Sequence, residues 1–182
     1  SSAYEGLGEI SILEGNLNKA IEYYTNIVEN QRAGLDKKNS ARFRLAQCYF
    51  FINNTGKSKS LLAEIIKSLN DNTANDAIEL SLLLNTAAND SSNLVKFAEA
   101  EYLAAQQKYT QANDIYKKIA NDPNAFILKN ISGIRQAEML VAADDFPNAI
   151  TLLQAISEQG EQNIYADKAL YLQAKVYQFG LK

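Results

Sequence analysis

Apolar and small residues recur along this chain at helical spacing, in short stretches broken by turns. In the first stretch, Tyr4-Glu5-Gly6-Leu7-Gly8-Glu9-Ile10-Ser11 carries apolar or small positions every three or four residues, the period of one helix face. Gly15-Asn16 breaks the pattern as turn residues do. It restarts with Leu17, Ala20, Ile21, Tyr24, Ile27 and Val28 on one face. A small residue near the middle of each helix, Gly8 and then Ala20, lets two backbones approach closely. Ala100 and Ala112, then Ala137 and Ala149, repeat the same interval of twelve residues. Each pair lies in a stretch of about 34 residues, and repetition at that period predicts stacked helical hairpins.

The remaining segments keep this phase less cleanly. Leu45-Ala46 and Tyr49 fit a first helix, after which Phe51-Ile52-Asn53-Asn54-Thr55 predicts a lengthened turn before Gly56. Leu61, where an alanine is expected, opens the second apolar face there. Ala77, Ile78, Leu80, Leu82, Leu83 and Leu84 mark an extra helix with no second half of its own. The segment from Tyr165 to Tyr177 reads as the first helix of a fifth repeat. The expectation is thus a single repeat domain over 1–182, with hairpins over roughly 2–31, 38–70, 91–121 and 125–158. An extra helix over 73–88 and a terminal helix over 163–179 complete it.

Leu7, Gly8, Ala20 and Tyr24 fall where the tetratricopeptide repeat has Leu-Gly, Ala and an aromatic residue, and Asn121-Asp122-Pro123 ends a helix where that family places proline. Ser11, Ile27 and the absence of proline near Arg32 depart from the pattern. The chain resembles that family over nearly its whole length, most closely the C-terminal repeats of bacterial members. The resemblance implies an all-α, right-handed α-solenoid of about ten helices. It also implies a concave groove lined by residues three before and one after each small position. Those are Glu5 and Glu9, Phe43 and Gln47, Phe97 and Glu101, Ile134 and Glu138, and Tyr171 and Lys175. Phe50 follows one turn beyond Gln47. Tyr24, Tyr49, Tyr116 and Tyr177 take core positions. The resemblance tilts localisation toward the bacterial envelope or periplasm over the cytoplasm.

Composition narrows the chemistry. The chain has no histidine and one cysteine, so the commonest general base near neutral pH and any multi-cysteine zinc site are missing. Cys48 lies within a helical pattern beside no activating base and reads as a small core thiol. Asp144-Asp145 reads as a helix cap rather than a metal site. No glycine-rich phosphate loop is present, and no cofactor is expected. Net charge is −3, from 18 basic and 21 acidic residues. The basic cluster Lys37-Lys38, Arg42 and Arg44 is too sparse for a phosphate-binding face, so nucleic acid is not expected as a partner. No apolar run approaches the roughly 18 residues of a membrane span. The reading is a non-catalytic scaffold that binds a protein or peptide through the groove. At the position one after each small residue, three carboxylates (Glu9, Glu101 and Glu138) against one amine (Lys175) suit a partner bearing basic residues and an apolar anchor. The alternative is a spacer or dimerisation segment of a larger envelope or enzyme assembly, with the unfinished C-terminal repeat offering a homo-oligomer contact. A catalytic or small-ligand site within the superhelix is a third class.

Overall fold

The computed structural model describes residues 2–67, 73–160 and 163–180. Among these residues there are ten α-helices and no strand, so the all-α expectation and the expected helix number hold. The backbone groups into two compact units, Ser1–Asn89 and Asp90–Lys182, where the sequence reads as one continuous array.

The first unit contains α1 (Ser2–Leu13), α2 (Leu17–Glu29), α3 (Leu35–Phe51), α4 (Thr55–Ile66) and α5 (Thr73–Thr86). Each helix packs on the next, and α5 also touches α3. The second unit contains α6 (Ser91–Ala105), α7 (Tyr109–Ala120), α8 (Phe126–Ala142), α9 (Phe146–Ser157) and α10 (Ala166–Lys175). Again neighbours in sequence pack on each other, and α6 reaches α8. A π-helical turn, Val176–Gly180, follows α10. The expected end of the second hairpin at 68–70 lies outside the described residues. The terminal α-helix is shorter than the expected 163–179: Asn163 Oδ1 accepts the Tyr165 N–H at 3.0 Å in a turn before α10, and from Val176 the backbone is π-helical.

One turn design joins α1 to α2, α3 to α4, α6 to α7 and α8 to α9. A residue in the left-handed region stands two before each second helix: Gly15 (φ 81°), Asn53 (φ 60°), Gln107 (φ 59°) and Asp144 (φ 60°). The residue after it closes a bond to a carbonyl five positions back, as in Asn16 N–H to Ser11 O at 2.7 Å and Asn54 N–H to Tyr49 O at 2.8 Å. Lys108 to Leu103 and Asp145 to Leu140 repeat it at 2.9 and 2.8 Å. This is the Schellman end, which satisfies carbonyls that a helix terminus leaves open. Asn16 and Asn54 then cap the next helix, each accepting a backbone N–H at 3.2 Å.

The second hairpin corrects the sequence reading. Its turn has the same length as the others, with α3 ending at Phe51 and α4 starting at Thr55. Twelve residues after Ala46 stands Ser58, fully buried, and Leu62 is buried one turn later. Ser58 is therefore the small residue of this hairpin, and Leu61 is only half-buried. A serine of nearly alanine's size hid the repeat.

The small positions line the helix contacts. Ala20, Ala46, Ala100, Ala112, Ala137 and Ala149 are all fully buried. At Gly8 the approach is close enough that a Cβ there would meet the Tyr24 ring at 2.6–3.0 Å. Tyr24 and Tyr116 fill the cores of their hairpins, as expected, with no exposure. Tyr49 is half-buried beneath the Lys57 ammonium (4.9 Å to the ring centroid), and Tyr177 is exposed. Both sit three residues past the small position, whereas Tyr24 and Tyr116 sit four past it, directly above the contact.

Candidate functional site

Two equivalent charge ladders run across the first helices, one in each unit. In the second unit, Glu101 of α6 receives two hydrogen bonds on Oε1, from Tyr116 Oη of α7 at 2.7 Å and from Arg135 Nε of α8 at 2.9 Å. Arg135 Nη1 donates to Glu138 Oε2 at 2.7 Å. Lys168 Nζ of α10 lies 3.7 Å from Glu138 Oε1. The Glu101, Arg135 and Glu138 side chains keep only 22, 28 and 25% of their exposure. The Glu101 carboxylate, partly opposed by burial and reinforced by Glu138, holds the Arg135 guanidinium above its ordinary value. Burial, with the Glu101 charge added, likewise raises the Tyr116 phenol.

The first unit repeats this in the same phase. Arg44 stands two before Ala46, as Arg135 stands two before Ala137. Arg44 Nη2 lies 3.8 Å from Glu9 Oε1, and Arg44 Nη1 donates to Gln47 Oε1 at 3.2 Å. Lys37 lies 3.8 Å from Glu5. These groups are more open, Arg44 and Glu9 keeping 47 and 59% exposure. Tyr24 Oη, the counterpart of Tyr116 Oη, makes no hydrogen bond, and burial raises its pKa. Beneath it Cys48 is fully buried, and burial pushes its thiol up to about 12, so it stays protonated at neutral pH.

The ladder ends at α10. The position equivalent to Arg44 and Arg135, two before Ala174, is Leu172, and the position equivalent to Glu138 is Lys175. Here the second unit opens an apolar pocket of about 430 Å3. Fully buried Ala137 and Leu153 line it, together with half-buried Val141 of α8, Phe146 of α9 and Leu172. Buried Val176 lines it too, with half-buried Glu138 and exposed Lys175 as its charged rim. Lys175 Nζ lies 4.8 Å from the centre of the Tyr171 ring.

Of the expected groove residues, the structure brings Glu138 and Lys175 together at this pocket, with exposed Tyr171 beside Lys175. Glu101 belongs to the ladder alongside. Glu5, Glu9 and Gln47 belong to the ladder of the first unit, and Phe43 is half-buried on α3. Three expectations are corrected. Phe97, Phe50 and Ile134 retain 1, 2 and 0% exposure and are core, not surface. Phe97 packs edge-on against Tyr116, ring centres 5.5 Å apart. Ile134 joins Leu153 and Ile156 in the core of the second unit. Phe50 lies one turn beyond Ala46 on the same inward face. A large apolar side chain at these positions gains about 1.5–3 kcal/mol from burial, which an open groove would forgo.

Sequence reasoning missed Arg44, Arg135 and Lys168. The signal was available: each arginine follows its carboxylate by one repeat length, 34 residues from Glu101 to Arg135. The basic cluster is also explained in part, since Lys37, Arg42 and Arg44 are engaged with Glu5, Asn39 and Glu9. No helix among the described residues is long and apolar enough to cross a membrane. Comparison with protein-family models, with curated proteins and with solved structures gives no match.

Proposed function

We propose that this chain is a non-catalytic protein-interaction scaffold, and that the pocket between α8, α9 and α10 receives an apolar side chain of a partner polypeptide. One observation carries this reading: an apolar concavity of about 430 Å3 lies where the polar ladder stops, rimmed by two charged residues. That volume is at the lower end of the roughly 300–1,000 Å3 of small-molecule sites and suits one or two anchor side chains. Rings and branched chains buried in such pockets dominate binding free energy. Repeated hairpins with a twelve-residue spacing of small residues support a tetratricopeptide-like, right-handed stacking within each unit, and that identity is part of the proposal. A random peptide library displayed on phage tests it. Selected peptides should bind the wild-type chain and lose at least tenfold in affinity against Leu172→Asp, whose carboxylate makes the pocket wall polar. Selected peptides that bind Leu172→Asp and Val141→Asp as tightly as wild type would place recognition elsewhere.

A second reading, a spacer or dimerisation segment, is favoured by α1. Its outer positions Leu7 and Ile10 keep 41 and 50% exposure, while their equivalents in α3, Leu45 and Cys48, keep 5 and 0%. Sedimentation of the wild type and of Leu7→Glu at about 100 µM, a concentration that reveals even weak micromolar dimers, separates the two readings. Self-association lost in the variant supports dimerisation.

A further inference from the structure

Resting on the reading of the α8–α10 pocket as a polypeptide site, we infer that the segment it takes carries a carboxylate beside its apolar anchor, not the basic residue that the count of groove acids suggests. Glu101 and Glu138 are both answered by Arg135 at hydrogen-bond distance, and Glu138 is approached again by Lys168. Lys175 is different: its contact is the Tyr171 ring, and no carboxylate among the described residues lies within ion-pair distance. Of the two charged residues that line the pocket, Glu138 is thus answered twice, while Lys175 is answered by no carboxylate among the described residues.

The repeat phase sharpens this. Arginine at the position two before the small residue neutralises the carboxylate of the preceding first helix in both units. At α10 that arginine is replaced by Leu172 and the carboxylate by Lys175. The two changes together exchange a self-satisfied polar rung for an apolar wall with an amine above it. A partner's basic residue at that rim would meet Lys175 in repulsion and find Glu138 already engaged. A partner's Asp or Glu one helical turn or two extended residues from an apolar anchor would meet Lys175 with its charge unspent, and such complementarity selects among partners and speeds encounter.

The experiment uses the full chain and two synthetic peptides, acetylated and amidated so that no terminal charge contributes. Both carry a central Leu-Phe anchor; one is flanked by glutamates and the other by lysines. Fluorescence anisotropy in about 50 mM salt, where exposed charges are weakly screened, should show the acidic peptide binding at least tenfold tighter. Lys175→Glu, at an exposed position where helicity should be unchanged by circular dichroism, should reverse the order. Leu172→Asp should weaken both peptides. Equal affinities, tighter binding of the basic peptide, or an order unmoved by Lys175→Glu overturns the inference and leaves the pocket reading standing. Failure of both peptides to bind overturns the two together.

Discussion

The two units carry one device in two states of tightness. Glu9, Arg44 and Gln47 in the first unit and Glu101, Arg135 and Glu138 in the second occupy the same places in the repeat. In the first unit the carboxylate–guanidinium distance is 3.8 Å and both groups are about half exposed. In the second it is 2.9 Å with about a quarter exposed, and a tyrosine hydroxyl joins it. Charges at about 4 Å attract by about 1 kcal/mol in water but about 4 kcal/mol at the effective dielectric near a protein surface. Burial of the second ladder therefore changes its character. Exposed pairs add little to stability, whereas breaking a buried one leaves an unanswered charge. The same motif can decorate one unit and hold the other together.

The sharpest way to break this comparison is to remove the two arginines. Arg135→Met should destabilise the second unit by about 2–4 kcal/mol, since the largely buried Glu101 and Glu138 both lose the guanidinium that answers them. Arg44→Met should stay within about 0.5 kcal/mol. Urea unfolding followed by circular dichroism measures both, and equal losses would show that the difference in burial does not matter.

Next in size is the tight contact at Gly8 in the first unit. Gly8→Ala drives a methyl into the buried Tyr24 ring and should cost about 1–3 kcal/mol by overpacking. Gly6→Ala in the same helix meets nothing within 4 Å. It should stabilise by about 0.5–1 kcal/mol through helix propensity alone. Melting temperatures moving in opposite directions would support the close approach of α1 to α2.

The smallest effect concerns the paired tyrosines. Tyr116→Phe deletes a hydrogen bond to a carboxylate and should cost about 1–2 kcal/mol, while Tyr24→Phe deletes a hydroxyl that makes no bond and should be neutral or slightly stabilising. Alkaline titration adds a sign. Burial raises the Tyr116 phenol above its ordinary value of about 10, so folding favours the protonated ring. The stability this lends is whole below pH about 10 and is lost as pH rises above it. The decline between pH 9 and 11 should be shallower in Tyr116→Phe.

Helices and their pairing were legible in the sequence because Gly8, Ala20, Ala100 and Ala112 report a local geometric need. The groove was less legible, for a physical reason. Whether Phe97 faces solvent or core is decided by Tyr116, a residue on the next helix, and a phase template carries no knowledge of that neighbour. The charge of the groove failed similarly. Glu101 and Glu138 look like free acids until Arg135 is seen between them. Composition counts charges, but only the fold shows which of them already have an answer.

Cys48 offers a last consequence. It is the one cysteine in the chain, lies in the first unit and is fully buried with its thiol held protonated. An alkylating reagent reaches it only when that unit opens, because sub-global opening exposes what the native state covers. The labelling rate is therefore a built-in clock for the loosely laddered half, and opening confined to the tightly laddered half leaves it untouched.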